Sequence, residues 1–359
     1  MAKKSQANAC KVAGIGLIAL DLLIKSKEGE PTVSAGGTCG NVLAILGMLG
    51  WESRAVGRLA QDAAAELIST DLKSWGVDTD LLNLSPTAPA PTIVERLRLD
   101  SAGIPFHSFA FACPWCGERL PSYQPVTIPS VRAAALKILE SDVLFVDRAS
   151  PSAVELATMF HSAGKIVVFE PSSSRVDHLF QKLLSVSQIV KYSHERFPEL
   201  EETIWPTVRK LEIQTLGRGG LRFRMAARKN VTLWQHLHAP KREMIVDACG
   251  AGDWATAGLI ELTCKSGIPG LLALNKEHTL RALGFAQKLG SWSCGYAGAR
   301  GAMYSLSKSA LLKEIKRLAQ PSVLTMPTIE GPSNSMKAIT GACRLCSEME
   351  IPKRCKTAC

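Results

Sequence analysis

Short apolar runs and segments of helical period take turns along most of this chain, and that alternation restricts it to few architectures. Lys11 to Leu17, Ser53 to Val56, Val143 to Val146, Ile166 to Phe169, Ile189 to Lys191 and Ile213 to Leu216 read as buried strands. Between them, Val42 to Leu49, Ala63 to Trp75, Val131 to Leu139, Ala153 to Phe160 and Leu179 to Leu184 carry apolar residues at helical spacing. Gly50 and Gly76 stand where the first two of these helices stop. Strands alternating with helices predict a mainly parallel sheet covered on both faces, with ligands bound beyond the carboxyl ends of its strands. A chain of 359 residues with 46% hydrophobic content can bury one large core of this kind.

One stretch breaks the alternation. Thr92 to Asp100 has period-two character, Ser101-Ala102-Gly103 supplies a turn, and Phe106 to Phe111 forms a second run, which predicts a β-hairpin outside the main sheet.

Two glycine motifs carry the chemistry. Asp247-Ala248-Cys249-Gly250-Ala251-Gly252-Asp253 is a small-residue turn that runs into an apolar helix (Trp254, Ala257, Leu259, Ile260). Such a turn lets backbone N–H groups approach an anion, and the helix that follows adds the positive end of its dipole. Asp253 then stands where it can take a proton from a nucleophile beside that anion hole, the arrangement of phosphoryl transfer. Taken alone, the turn also fits a plain strand-to-helix connection. Near the amino terminus, Gly14-Ile15-Gly16-Leu17-Ile18-Ala19-Leu20-Asp21 closes a strand, and Gly36-Gly37-Thr38-Cys39-Gly40-Asn41 opens a helix.

With Asp253, this ordered set resembles the PfkB carbohydrate kinases, the ribokinase-like sugar and nucleoside kinases, from about residue 10 to about residue 310. The resemblance implies a three-layer α/β fold over residues 1–317, with helices on both faces of the sheet. It also implies a small β-sheet lid drawn from about 22–35 and 90–125. It implies ATP and Mg²⁺ as cofactors, and Asp253 as the general base that activates a primary hydroxyl. Gly250, Ala251 and Gly252 would form the anion hole. Asp21, at the carboxyl end of the first strand, and Asn41 match positions that hydrogen-bond substrate hydroxyls. Gly36 and Gly37 let a sugar lie flat on the backbone. Alone, Asp21 also suits a turn and Asn41 a helix cap. Thr215, Gly217 and Gly220, in Thr215-Leu216-Gly217-Arg218-Gly219-Gly220, resemble a segment near the nucleotide phosphates, and Asp247 joins them on the cofactor side. Leu221 to Met225 also suits the return strand of a hairpin. Ala282 to Leu289 and Gly298-Ala299 resemble the elements that flank the adenine.

Departures from the family pattern cluster around the metal. Ala60 replaces a glycine, although Asp62 keeps its place. Ser193-His194-Glu195-Arg196 stands where Asn-x-x-Glu is usual, with Glu195 one residue early. Glu170-Pro171-Ser172 replaces Asp-Pro-Asn, and Ala248 replaces a hydroxyl residue. A non-catalytic relative that binds or regulates a partner is the alternative these changes favour.

Cysteines are the other unusual feature, 11 in all. Cys113-Pro114-Trp115-Cys116-Gly117 has the form of a zinc knuckle, which supplies two of the four ligands that tetrahedral zinc needs. Past a Pro/Ser/Thr-rich linker from Gln320 to Lys337, the 318–359 tail offers Cys343, Cys346, Cys355 and Cys359. Either the tail cysteines hold a metal themselves, or one pair completes a site with Cys113 and Cys116. Disulfides and free thiols are the competing readings. A formal charge of +10 suits nucleotides and phosphorylated products, but no basic block or aromatic-interleaved stripe points to nucleic acid. No apolar stretch reaches the roughly 18 residues needed to cross a bilayer. The expectation is a cytoplasmic enzyme with a small-molecule sugar or nucleoside substrate, its lid hairpin offering an edge to a second copy.

Overall fold

The computed structural model describes residues 10–25, 30–82, 87–99, 101, 103, 105–172, 175–197, 208–227, 230–240 and 244–320. Cys343, Cys346, Cys355 and Cys359, and the linker segment beyond Gln320, lie outside the described residues.

The amino-terminal half builds β1 (Lys11–Ile15), β2 (Ala19–Ile24), β3 (Thr32–Gly36), α1 (Thr38–Met48), β4 (Glu52–Val56), α2 (Ala63–Ser74) and β5 (Val77–Leu81). Next come β6 (Thr92–Leu99), β7 (Pro105–Ala110), α3 (Ile128–Ile138), β8 (Val143–Val146), α4 (Pro151–Ser162) and β9 (Ile166–Phe169). After α5 (His178–Val186) and β10 (Ile189–Ser193), the chain forms β11 (Leu211–Thr215), β12 (Leu221–Ala227), β13 (Asn230–Val231) and β14 (Gln235–Leu237). Helices α6 (Ala251–Thr263), α7 (Gly267–Leu272), α8 (Lys276–Ser293), α9 (Gly301–Ser305) and α10 (Lys308–Leu318) close it.

The large sheet has the order β13-β12-β11-β10-β9-β8-β1-β4-β5, with β14 also pairing β12. From β11 to β5 its neighbours run parallel, and β12 returns antiparallel to β11. Each central strand is apolar on both sides because each side is covered. Val143, Phe145, Ile166 and Val168 enter one core with α1, α6 and α8, whereas Leu144, Val146, Val167 and Phe169 enter a second with α3, α4 and α5. This is the three-layer α/β architecture expected from the alternation.

A separate four-stranded sheet has the order β3-β2-β6-β7. The chain reaches it early: β1 ends at Ile15, two residues before the expected Leu17. Gly16 packs against Asp147, and the Leu17 N–H donates to Asp147 Oδ1 at 2.8 Å. Asp21 is therefore not at the carboxyl end of the first strand. It lies within β2, a strand of the small sheet, opposite Ser34 on one side and Ile93 on the other. Asp62 caps α2 by accepting from the Ala65 N–H at 2.8 Å, and its other oxygen takes the Ala90 N–H at 3.1 Å, which ties the approach to β6 to the core. Among the described residues no helix is long and apolar enough to cross a membrane.

Candidate active site

Gly250 is the N-cap residue of α6 and adopts φ 72°, a left-handed conformation that L side chains resist. A Cβ there would also lie 2.3 Å from the Ala299 carbonyl oxygen. Among the described residues no side chain caps α6, so its first-turn amides are open to an anion before the helix. The Ala251 N–H turns back toward the Ala248 carbonyl at 3.3 Å, so the amides of Gly252 and Asp253 are the better donors. Gly250→Ala should therefore shift the turn. The expected outcome is a loss of about 1–3 kcal/mol in urea unfolding.

Asp253 sits in the first turn of α6 and accepts from Asn41 Nδ2 at 2.8 Å. Burial pushes its carboxyl up to about 7, and the nearby Glu170 charge adds to this, against the opposing Asn41 amide and Lys191 ammonium. Asn41 lies in the first turns of α1 and is itself held: Arg300 Nε donates to its Oδ1 at 3.1 Å. The guanidinium is buried, with Nη2 reaching Ala35 O and Asp71 Oδ2, both at 2.5 Å. Asp71 further accepts from the Ala35 N–H at 2.9 Å and from Tyr304 Oη at 2.8 Å. A line of polar contacts thus runs from Asp71 through Arg300 and Asn41 to Asp253, and it sets which end of the Asn41 amide meets the acid.

Asp21 belongs to the same polar pocket. Burial pushes its carboxyl up to about 7 despite the Arg300 charge and a hydrogen bond from the Gly37 amide. The missing side chain of Gly36 makes room for it, since a Cβ there would lie 1.8 Å from Asp21 Oδ2. Among the described residues Asp21 Oδ1 is buried without a hydrogen-bond partner, an acceptor left open to a donor.

Beneath the α6 turn lies a buried ion pair between Lys191, on β10, and Glu170, at the end of β9. Lys191 Nζ also reaches the Gly252 carbonyl at 3.3 Å, and Thr256 bridges Glu170 to the same carbonyl. At the end of β10, Ser193 is half-buried and its Oγ accepts from the Glu195 N–H at 3.3 Å, while His194, Glu195 and Arg196 are exposed.

On the small-sheet side, Asp247 is buried and held by three contacts. Its Oδ1 accepts from the Cys249 N–H at 2.9 Å, its Oδ2 from the Gly298 N–H at 2.7 Å, and His107 Nδ1 stands 3.3 Å from Oδ1. Burial would raise its carboxyl, but these donors hold it below the usual range. Glu95, on β6, is the opposite case: burial and the Asp247 charge push it up to about 9. Burial pushes the Cys249 thiol up, and the charges of Glu95, Asp247, Asp21 and Asp253 add to this.

Thr215 ends β11, Gly217 begins a 3-10 turn, and Gly220 (φ 103°) packs against the backbone of Leu237 to Ala239. Leu221 to Met225 is the return strand, as the hairpin alternative had it. Cys113 is buried and Cys116 exposed in one tight turn, where the Gly117 N–H meets the Cys113 carbonyl at 2.9 Å.

Sequence reasoning did not single out Arg300, Asp71, Lys191, Glu95 or His107. The available signal was a charged residue inside an apolar pattern: Asp71 follows Ile68 on the buried side of α2, and Lys191 sits within a buried strand.

No family model matches the sequence. The chain is 25% identical over 314 residues to a fructokinase of Escherichia coli, across 83% of this chain and 96% of that protein. Among solved structures, fructokinase with bound ATP from Xylella fastidiosa superposes with a TM-score of 0.65 at 19% identity, covering 86% of this chain and 99% of the other. An aminoimidazole riboside kinase from Salmonella enterica, complexed with aminoimidazole riboside and an ATP analogue, reaches 0.61 at 19% identity, over 86% of this chain and 100% of the other. The fold is the ribokinase-like one, a doubly covered sheet with a smaller sheet beside it. The proteins it is similar to are carbohydrate and nucleoside kinases of the PfkB type, which are phosphotransferases, as the glycine motifs implied.

Proposed function

We propose that the chain is an ATP-dependent phosphotransferase that phosphorylates a primary hydroxyl of a sugar, sugar acid or nucleoside. The observation that carries this reading is the 2.8 Å hydrogen bond from Asn41 to Asp253, residues 212 positions apart, which joins the acceptor-binding side to the transfer side. Asp253 acts as general base: it takes the proton of the attacking hydroxyl as that oxygen meets the γ-phosphorus. A base with a pKa near the working pH suits the role, and about 7 meets that condition. The amides of Gly252 and Asp253 take the growing charge on the transferred group. Asp21, through its open Oδ1, accepts from a second hydroxyl and orients the polyol, while the small sheet keeps water from competing as acceptor.

Mg²⁺, when bound with the triphosphate, neutralises phosphate charge, and Ser193 and Glu195 are the residues of this chain that would orient its waters. Two thiols at Cys113 and Cys116 remain a proposed half-site for zinc, and elemental analysis of protein purified without chelator tests it.

The pH dependence follows from the base. With ADP release as the readout, kcat/KM should fall about tenfold per pH unit below about 7, because Asp253 is then protonated, and should level off above it. Incubation with ATP, Mg²⁺ and a panel of sugars, sugar acids and nucleosides tests the function itself. Turnover of at least one panel member is expected, and none across the panel would leave the non-catalytic reading.

A further inference from the structure

Glu95, on the lid strand β6, is 2% exposed, and among the described residues its Oε1 is buried without a hydrogen-bond partner. The Asp247 carboxylate lies beside it, one ligand atom of each within 4.8 Å of the other. A buried carboxyl that faces carboxyls needs either a shared proton or a cation between them. His107, from the neighbouring lid strand β7, completes the surroundings. One ligand atom each from Glu95, His107 and Asp247 lies within 4.8 Å of the others, and His107 Nδ1 is 3.3 Å from Asp247 Oδ1. Two adjacent ligands on one ion, each about 2.1 Å from it, stand roughly 3 Å apart.

We propose that Glu95, His107 and Asp247 form a divalent-cation site that fastens the two lid strands to the phosphate-side turn before α6. Two carboxylates with one imidazole suit a first-row cation such as Mn²⁺, whereas Mg²⁺ favours an all-oxygen shell. The outer contacts are in place. Backbone N–H groups of Cys249 and Gly298 hold the two oxygens of Asp247, which fixes the direction of its remaining lone pairs. Asp247 lies three residues before Gly250, so an ion here couples the position of β6 and β7 to the mouth of α6. The cation would hold the small sheet down over Asp21 and Asn41 and lower the KM for the acceptor without touching the base.

Titration of Mn²⁺ into the full-length protein, free of nucleotide and acceptor and followed by calorimetry and electron paramagnetic resonance, tests the site. One equivalent is expected to bind, with affinity at least about 100-fold weaker in Glu95→Gln and in His107→Ala. Asp253→Asn and Cys116→Ser should bind as the parent does. In the parent, Mn²⁺ should also slow amide exchange in 92–99 and 105–110, a readout that does not depend on the variants folding. Absence of Mn²⁺ binding, or equal binding by parent, E95Q and H107A, overturns the site and leaves a proton shared between Glu95 and Asp247. Because nothing is turned over in the measurement, its failure and that of the kinase reading are distinguishable.

Discussion

At pH 8, Asp253→Asn should lose 10²–10⁴ of kcat and yet unfold at a higher temperature than the parent. Asparagine keeps the size of the side chain but cannot take the hydroxyl proton, so the chemical step slows. With Asp21 and Asn41 as the proposed acceptor-binding pair, acceptor affinity should change little. The stability gain has the opposite origin. The Asp253 carboxyl moves from an ordinary 3.8 to about 7 in the fold, so the folded state holds the proton more tightly than the unfolded chain. The contribution of that proton is fully present below pH 4 and is lost as pH rises through about 7. At pH 8 the parent therefore carries a buried, desolvated charge that the variant lacks. A melting temperature a few degrees higher is expected for Asp253→Asn at pH 8, with the gap narrower at pH 5 and closing below about pH 4. Calorimetric scans at both pH values, beside kcat, check it. A variant with parental kcat would remove Asp253 from the mechanism.

Arg300→Met is expected to cost about 3–5 kcal/mol in denaturant unfolding, the usual result of stripping one partner from a buried ion pair. Asp71 would remain buried with the Ala35 amide and the Tyr304 hydroxyl but no cation. Arg300→Met combined with Asp71→Asn should recover part of that loss, because the uncompensated charge goes with it. Arg300→Lys should fold better but still perturb activity, since a single ammonium cannot serve Asn41, Ala35 and Asp71 together. Freed from Arg300, the Asn41 amide can turn its oxygen toward Asp253. The acid limb of kcat/KM should then move upward in pH. A loss under about 1 kcal/mol with an unmoved limb would make the contact incidental.

These two residues also mark the boundary of what the sequence made legible. Strands such as Val143 to Val146 and Ile166 to Phe169 were readable because burial on both faces demands an unbroken apolar run, and that demand is local. The turn at Gly250 was readable for a similar reason: closeness to the Ala299 backbone excludes any side chain, and only glycine meets it. Strand β2 was harder. Ala19 to Ile24 alternates only weakly, and its identity comes from pairing with β3 and with β6, about seventy residues away. Asp21, expected from its motif at the end of the first strand, lies within β2 instead. Arg300 sits in a run of small residues that reads as a loop, and its partners Asn41 and Asp71 lie 259 and 229 positions back. Nothing near Arg300 in the chain announces them, since ion pairs of this kind are created by the crossing of helices α1 and α2 with the loop after α8.

Transfer of a phosphoryl group to an alcohol activated by Asp253 is the chemistry proposed for this chain. Phosphorus NMR of the parent and Asp253→Asn, each incubated with ATP, Mg²⁺ and the polyol and nucleoside panel, tests this most directly. The parent is expected to produce a new phosphomonoester resonance split into a triplet by an adjacent CH₂ group, and the variant essentially none in the same time. No ester from any acceptor, or the same ester at the same rate from both proteins, would contradict it.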